Sequence, residues 1–516
     1  MAPKGPGRQG NAARSRLPAA SLALLLLLLL PLSALPPASS VEAGDWVIYG
    51  THTLEDTTRV QAGAVVVMAG AVLTVRNATL EFDLSQEGGY ALDVRAGGTL
   101  RMENCSVRSG TEGLHYNFLV AGRLQVRGCD ISDIRGDSGL GGLEITGGDA
   151  LIEDTTFHHN KYYGLFVRSG SPTIRRTTFD TQPVGISVLP GATPMIEDVV
   201  IRNASRIGLK VADAAPVVRN LTVLGSANFA VGAIGSTLDV AGCRLSGGFV
   251  GIDAVHSTAG RVEGCEFLDL GTGVRAEESP VVVSNSTFVS VSAGVNATRS
   301  AVEVLGSSFS AFGVGVRAVG EAGGVYGGSA TGNSFCGSGT AFETHTTSFY
   351  IGDNTFCTDV TSLRAFHWVT LEVRAPDSSP ASGATVQLTD VDGAWASTGV
   401  TDADGKVSAL LEEYRLLPGG ARHNVTPHTV RIDYGGQITV TQVNATPDAA
   451  VQITLAPEDP PPSVAITREG LLFVGAVLAA VAGMSGYVAW RAGVRRRERA
   501  SGDSRTRHRR GPRSGR

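Results

Sequence analysis

The chain has 516 residues, of which 66 are glycine, 18% are charged and 6% are aromatic, and its formal net charge is −5. A hydrophobic content of 42% excludes wholesale disorder, and the lack of a Gly-X-Y period excludes collagen. Basic residues concentrate at both ends and leave the long middle section acidic, which argues against the cationic surface that nucleic-acid binding needs.

The first 40 residues have the pattern of a secretory signal peptide. A basic stretch precedes the leucine-rich run at 22–30, which is followed by Pro31 and small residues up to Ser40. These are the n-region, the h-region and the cleavage site of such a peptide. We therefore predict a signal peptide over residues 1–40, with cleavage between Ala38 and Ala43. An uncleaved anchor helix is the alternative.

An apolar position recurs about every 22 residues through the middle of the chain. Gly, Asn or Asp stands three residues before it in nearly every repeat, and these residue types tolerate left-handed backbone angles. Each repeat should therefore bend at the same place, which predicts a coil of short β-strands. The apolar column consists of Leu80, Val107, Ile131, Phe157, Phe179, Ile201, Val223, Leu245, Phe267, Phe288, Phe309, Phe335 and Phe356.

This repeat resembles the right-handed parallel β-helix family of pectate-lyase-like and NosD-type proteins. Segments 160–165 and 184–188 look like strands of that family. The resemblance covers residues 45–366 and implies an all-β fold with about 13 turns. The first segment, with Trp46, is expected to cap the open end against edge pairing. The repeat is specific for the fold and unspecific for function.

Equivalent residues of successive turns should stack, which predicts several contacts. Four residues before the apolar column, basic and acidic residues alternate over seven turns. We interpret this column as a ladder of ion pairs on an outer face, and a ligand-binding stripe is the alternative. Its members are Arg76, Glu103, Arg127, Glu153, Arg175, Glu197 and Arg219.

The six cysteines lie in adjacent turns as three pairs. A strand spacing of about 4.8 Å suits the Cα separation of a disulfide, and an exported chain permits oxidation. The geometry predicts the disulfides Cys105–Cys129, Cys243–Cys265 and Cys336–Cys357. Stacked free thiols are the alternative. No CxxC motif or Cys/His cluster is present, so we predict neither a metal site nor a cofactor.

Eight N-x-S/T sequons are candidate glycosylation sites. Four of them lie in the bend column, where asparagine is favoured by the backbone conformation, so their use is left open. The candidates are Asn77, Asn104, Asn203, Asn220, Asn285, Asn296, Asn424 and Asn444.

A second domain follows the repeat. Alternating apolar residues predict strands at 369–373, 384–388, 407–411, 429–432, 437–443 and 451–455, which indicates a small β-sandwich over residues 367–456. Segments 383–388 and 401–406 resemble the carboxypeptidase-regulatory-like (transthyretin-like) modules. Asp402 and Asp404 could bind calcium, but a tight turn explains them better because an EF-hand loop is missing.

The remaining residues predict a membrane anchor. A Pro-rich stalk over 457–469 leads to the uncharged segment 470–490, which is long enough for a transmembrane helix. The Arg-rich tail over 491–516 is then cytoplasmic by the positive-inside rule. We predict a single-pass type I protein of the cell membrane, with its large domain outside the cell.

One polar cluster could carry chemistry. It contains His158, His159 and Lys161, and stacking places Asp133 one turn below His159 and Asp180 one turn above His158. These residue types could perform acid–base work on a sugar, and Tyr162 and Tyr163 could stack on one. An ordinary exposed loop is the alternative. The Asn-Thr-Asp, Gly-His-Gly and Arg-x-Lys strings of polygalacturonase-type relatives and the Asp-Pro-His-Asp string of alginate epimerases are missing from the sequence.

Two functions follow from this sequence. The preferred one is a non-catalytic surface protein that presents a rigid β-helix to a glycan or to an envelope protein. The alternative is a membrane-tethered polysaccharide lyase, hydrolase or epimerase, which only the fold resemblance supports. The expected partners are the membrane and a polysaccharide or envelope protein, with no nucleic acid.

Overall fold

The computed structural model describes residues 41–137, 141–321, 326–446 and 449–456, and all regular structure in these ranges is β-strand. Most strands form a right-handed parallel β-helix of about 14 turns, one more than predicted. The predicted signal peptide, stalk, transmembrane segment and tail lie outside these ranges. Within them, no helix is long and apolar enough to cross a membrane.

Each turn of the β-helix contributes strands to three faces, numbered here along the chain. The first face contains β1 (Val41–Ala43), β4 (Thr58–Ala62), β7 (Thr79–Phe82), β10 (Ser106–Ser109), β13 (Asp130–Ser132), β16 (Thr156–His158), β19 (Thr178–Asp180), β22 (Val200–Arg202), β25 (Thr222–Leu224), β28 (Arg244–Ser246), β37 (Ser334–Cys336) and β40 (Thr355–Phe356). The second contains β2 (Trp46–Ile48), β5 (Val65–Val67), β8 (Ala91–Val94), β11 (Asn117–Val120), β14 (Leu143–Ile145), β17 (Tyr163–Val167), β20 (Val184–Val188), β23 (Ile207–Ala212), β26 (Phe229–Ile234), β29 (Val250–Val255), β38 (Thr340–His345) and β41 (Thr361–Arg374). Three long strands cross both faces, namely β31 (Glu266–Glu277), β33 (Thr287–Thr298) and β35 (Ser308–Val319).

The third face is a separate sheet of 14 parallel strands. It contains β3 (Thr51–Glu55), β6 (Val72–Arg76), β9 (Thr99–Glu103), β12 (Arg123–Arg127), β15 (Ala150–Glu153), β18 (Thr173–Arg175), β21 (Met195–Glu197), β24 (Val217–Arg219), β27 (Thr237–Ala241), β30 (Ala259–Glu263), β32 (Val281–Ser284), β34 (Val302–Leu305), β36 (Gly327–Thr331) and β39 (Ser348–Gly352). Residues 41–55 form the first turn itself, because β2 pairs in parallel with β5. The segment with Trp46 is thus the terminal turn of the β-helix, and its protection of the open end against edge pairing stays a prediction.

The predicted bends are confirmed at every position of the repeat. All thirteen residues of the bend column have a positive φ angle. Arg176, which is the one member that is not Gly, Asn or Asp, has a φ of 47°. Asn and Asp tolerate this conformation because their short polar side chains bond locally, and Gly has no Cβ to clash. The column consists of Asn77, Asn104, Gly128, Asp154, Arg176, Asp198, Asn220, Gly242, Gly264, Asn285, Gly306, Gly332 and Asp353.

The apolar column forms the centre of the core, except for Phe356 in the last turn, which is exposed. Its thirteen members pair in register from Leu80 to Phe356, and Phe267, Phe288, Phe309 and Phe335 stack with ring centroids 4.6 Å apart. A recurring glycine on the second face leaves room for these rings. A Cβ on Gly273 would lie 2.5 Å from Cε1 of Phe288. Glycine in this place is therefore a packing requirement of the phenylalanine stack.

A second column inside the β-helix satisfies buried backbone donors. It lies two residues before the apolar column, and its side chains accept the N–H of the equivalent residue one turn earlier. After each bend this N–H points inward, where it needs an acceptor. We call this the polar column; its members include Cys105, Cys129, Thr155, Cys243, Cys265, Ser286, Ser307, Asn333 and Asn354.

The structure contains one of the three predicted disulfides, Cys336–Cys357. The other four cysteines are buried thiols in the predicted adjacent-turn pairs, and Cys105 Sγ lies 2.8 Å from Cys129 Sγ. These four belong to the polar column, and the sulfurs of Cys129 and Cys265 accept an N–H as the serine hydroxyls do. The structure therefore has the stacked-thiol alternative for both pairs.

The residues after the β-helix form mainly antiparallel structure, and β48 pairs in parallel with β41. The strands are β42 (Thr385–Thr389), β43 (Trp395–Val400), β44 (Lys406–Leu416), β45 (Arg422–Asn424), β46 (His428–Tyr434), β47 (Gln437–Val443) and β48 (Ala449–Thr454). A four-stranded sheet has the order β43-β42-β46-β47, and β41 continues out of the β-helix to pair with β44 and β48. The Asp402 carboxylate accepts the N–H groups of Asp404 and Lys406, as expected for a tight turn. That these strands form a carboxypeptidase-regulatory-like sandwich stays a prediction.

Candidate functional site

The alternating charges on the third face stack as predicted, from Arg76 paired with Glu103 to Glu197 paired with Arg219. Glu153 forms ion pairs with both Arg127, at 2.7 Å, and Arg175. Its side chain is only 2% exposed, because the two arginines cover it. Burial raises the pKa of Glu153, but hydrogen bonds from Arg127 and Arg175 outweigh it and leave the pKa below its ordinary value. Arg76 pairs with Glu103 in the same way, whereas Arg219 pairs with Asp239 outside the column. The ion pairs between neighbouring turns favour the structural interpretation of the column.

A hydrogen-bonded chain of side chains runs along the first face at β13 and β16. His158 Nε2 lies 2.9 Å from Asp130 Oδ1, and His158 Nδ1 lies 2.7 Å from His159 Nδ1. His159 is exposed and has a positive φ of 52°. In one arrangement of protons, His158 donates to Asp130 and accepts from His159. The Nε2 of His159 is then left as a proton acceptor.

The two predicted aspartates occupy the predicted turns but make other contacts. Asp180 pairs in register with His158 and accepts hydrogen bonds from Asn203, at 2.9 Å, and Thr181. Burial raises the pKa of Asp180, but these hydrogen bonds lower it below its ordinary value. Asp133 accepts from the Ser132 hydroxyl at 2.7 Å. The carboxylate that contacts His158 is instead Asp130, which the sequence analysis missed.

Asp130 could have been found from strand geometry. It stands one residue before the apolar column, on the strand below His158, which stands one residue after that column. Residues on both sides of an inward position point outward, so the two side chains are diagonal neighbours on one outer surface. The prediction considered only residues directly above and below each other.

Lys161 links distant turns of the chain. Its Nζ lies 2.8 Å from Glu87 Oε1, and Glu87 Oε2 also lies 3.1 Å from His115 Nδ1. Burial raises the pKa of Glu87, but the hydrogen bonds from Lys161 and His115 outweigh it and leave the pKa below its ordinary value. Glu87 precedes Lys161 by 74 residues and lies in a longer loop that interrupts the repeat. No sequence signal indicated this contact.

The two predicted stacking tyrosines differ in exposure. Tyr163 is 2% exposed and packs with Phe166 and Val184 in a small apolar cluster on the outside of the second face. Tyr162 is half-buried, with its ring 4.6 Å from the Tyr163 ring and the Arg206 guanidinium 5.5 Å above it. Arg206 also donates a hydrogen bond to the Tyr162 hydroxyl. Of the two tyrosines, only Tyr162 is therefore partly accessible to solvent.

The remaining predicted positions are the candidate glycosylation sites, whose use stays a prediction. Seven of the eight sequon asparagines are exposed, and Asn296 is half-buried. Within the described ranges, no group of three or more His, Cys, Asp or Glu side chains is arranged to hold a metal ion.

Comparisons with known proteins agree with this architecture. A family model for the right-handed β-helix region matches residues 58–189, 121–259 and 184–356. No curated protein matches the chain. Similar solved structures include a periplasmic alginate epimerase, with 11% identity over 58% of this chain and 78% of that chain and a TM-score of 0.40.

Two other solved structures are similar at the same level. The A-module of a mannuronan C-5 epimerase from Azotobacter vinelandii has 12% identity, covers 58% of this chain and 90% of its own, and gives a TM-score of 0.30. The tailspike protein of the E. coli bacteriophage HK620, in complex with a pentasaccharide, has 10% identity, covers 76% and 85%, and gives 0.32.

Proposed function

The chain belongs to the right-handed β-helix family, and from this premise we propose that it is a membrane-anchored surface protein whose β-helix binds a glycan or an envelope protein without chemical change. The binding surface is the turn at residues 159–162, together with the side chains from neighbouring turns that contact it. The predicted signal peptide and the predicted transmembrane segment at 470–490 place the β-helix outside the cell.

The observation that carries this proposal is the fixed position of the half-exposed Tyr162 ring. Tyr163 packs against it from one side and Arg206 holds its hydroxyl. The neighbouring Lys161 is tied to Glu87. A surface that is ordered before binding loses less conformational entropy when a ligand arrives. An aromatic ring beside charged donors matches a sugar, which has apolar C–H faces and polar hydroxyl edges.

A catalytic function is the second candidate, because the Asp130–His158–His159 chain could move a proton. Asp130 orients His158, and the exposed His159 could accept a proton from a sugar hydroxyl or ring carbon. This function would make the protein a membrane-tethered polysaccharide lyase, hydrolase or epimerase. It requires His159, whereas binding at Tyr162 does not.

The test separates the two candidates in a single experiment. The full-length protein is incubated with a panel of neutral and acidic polysaccharides, and binding and the release of new sugar ends are measured on the same samples. Tyr162→Ala should weaken binding about tenfold, or ~1.4 kcal/mol, whereas Tyr162→Phe, which keeps the ring, should lose less. Tyr49→Ala, at a residue 76% exposed in the first turn, is the matched control.

Each outcome decides between the candidates. Binding without new sugar ends, weakened in Tyr162→Ala, supports the non-catalytic function. New sugar ends that disappear in His159→Ala would overturn it in favour of the enzyme. Binding that Tyr162→Ala leaves unchanged would show that the turn at 159–162 is not the binding surface.

A further inference from the structure

A second polar site lies beyond the proposed binding surface, where the last strand of the β-helix meets the antiparallel strands. It is a cavity of about 210 Å³. Strands β41, β43, β44 and β46 all contribute to its wall, which explains why no sequence motif marks it. The residues that matter here are Arg364, Phe366, Trp395, Glu412, Arg415 and His428, together with Asp390.

Two arginines are held in fixed orientations by one buried carboxylate. Glu412 is 6% exposed and accepts two hydrogen bonds from Arg364, at 3.1 and 2.7 Å, and two from Arg415, at 3.1 and 3.2 Å. Each guanidinium has five N–H groups, so Glu412 leaves donors of both side chains available. The hydrogen bond to Glu412 raises the pKa of Arg364 above its ordinary value, so the Arg364 guanidinium stays charged. The cavity therefore has two fixed, planar donor groups.

The charges in the cavity balance. Asp390 accepts the N–H of Ala394 at 2.8 Å, and its other oxygen lies 4.0 Å from Arg415. Two guanidinium groups thus face two carboxylates, Glu412 and Asp390. A site with this balance has no net charge to attract an anion, and it offers both donors and acceptors. An uncharged ligand with several hydroxyl groups matches that pattern best.

An exposed aromatic ring completes the site. Trp395 is 62% exposed, although tryptophan side chains are usually well buried. His428 is 1% exposed and bonds the Glu412 carbonyl oxygen through Nε2 at 2.9 Å. Its Nδ1 is enclosed by the protein, so His428 contributes to the wall of the cavity and not to the polar contacts of a ligand.

We propose that this cavity binds one uncharged sugar residue, whose C–H face lies on Trp395 and whose hydroxyls contact the arginines and Asp390. This is a separate glycan site from the turn at 159–162 and does not depend on it. A sugar unit within a longer glycan would fit, because the cavity opens beside the exposed ring of Trp395.

The experiment is saturation-transfer difference NMR on the full-length protein. The probes are the methyl glycosides of glucose, galactose, mannose and N-acetylglucosamine, with methyl glucuronide as the anionic probe. At least one neutral probe should receive saturation from the protein. Trp395→Ala should lower its association constant about tenfold, and Trp395→Phe should keep most of it. Arg415→Lys, which keeps the charge but not the planar fork, should lower it at least fivefold.

Controls separate this site from the proposed function. Phe249→Ala removes a ring that is 66% exposed on the β-helix and should change nothing. The proposal is overturned if no neutral probe binds, if only the glucuronide binds, or if Trp395→Ala binds as the unchanged protein does. Binding that is lost in Tyr162→Ala and kept in Trp395→Ala would support the turn at 159–162 and overturn the cavity.

Discussion

The polar column predicts how the protein responds to substitution of Cys265. Its sulfur accepts the N–H of Cys243 at 3.4 Å and contacts the carbonyl oxygen of Glu263 at 3.4 Å. Ser286 and Ser307 make the same two kinds of contact in the next two turns. A serine at 265 can therefore replace the cysteine. An alanine cannot, because the buried N–H of Cys243 then loses its acceptor.

The expected magnitude follows from the cost of an unpaired buried donor. Cys243 is 1% exposed, so its N–H cannot turn to water instead. Leaving such a group unpaired costs about 1–3 kcal/mol. Cys265→Ala should therefore lower the free energy of local opening by that amount, and Cys265→Ser by much less. A disulfide between Cys243 and Cys265 would give another result, because either substitution would remove about 3 kcal/mol.

The assay is native-state hydrogen exchange at the Cys243 amide, supported by urea unfolding. Cys265→Ala should speed exchange of this amide by about 5- to 150-fold, whereas Cys265→Ser should leave it near the unchanged rate. Addition of a reductant should not alter exchange of this amide in Cys336→Ser, a variant that lacks the Cys336–Cys357 disulfide. Equal losses in the two variants, or a strong effect of the reductant, would refute the hydrogen-bond explanation and establish the disulfide.

Three further predictions concern stability. Gly273→Ala should destabilise the β-helix by about 1–3 kcal/mol in urea unfolding, because the added methyl group would overlap with the ring of Phe288. The control is Gly232→Ala, which should be neutral because its Cβ would meet no atom closer than 3.6 Å. Burial of Glu343 opposes ionisation, but hydrogen bonds from His345 and Arg317 bring its pKa from 4.5 to about 2. The ionised Glu343 therefore stabilises the fold above about pH 4.5, and this contribution is lost as the pH falls toward 2. In Glu343→Gln the unfolding midpoint should fall less steeply over this pH range. An equally steep fall in the variant would contradict the assignment of this pH dependence to Glu343. Reduction of the Cys336–Cys357 disulfide should lower the free energy of unfolding of the unchanged protein by about 3 kcal/mol. The reductant should not destabilise Cys336→Ser, and if it does, the loss does not come from this disulfide.

The sequence by itself determined the β-helix, because in a coil the neighbour of a residue lies one repeat away along the chain. Residues separated by one period of the sequence therefore contact each other in the structure. The bend column shows this: Gly, Asn or Asp recurs where the backbone must adopt a positive φ, and the structure has that angle at all thirteen positions. The phenylalanine stack and the facing charges of the third face follow for the same reason.

Only the tertiary structure decided the contacts made by loops that interrupt the repeat. Lys161 meets Glu87 across 74 residues, and no period relates the two positions. Tyr162 and Tyr163 are adjacent in sequence, yet one is accessible and the other is buried by its neighbours. The cavity around Glu412 also depends on the tertiary structure, because its wall combines strands from two different sheets. Side-chain direction in such places depends on the local path of the backbone, which the repeat pattern does not encode.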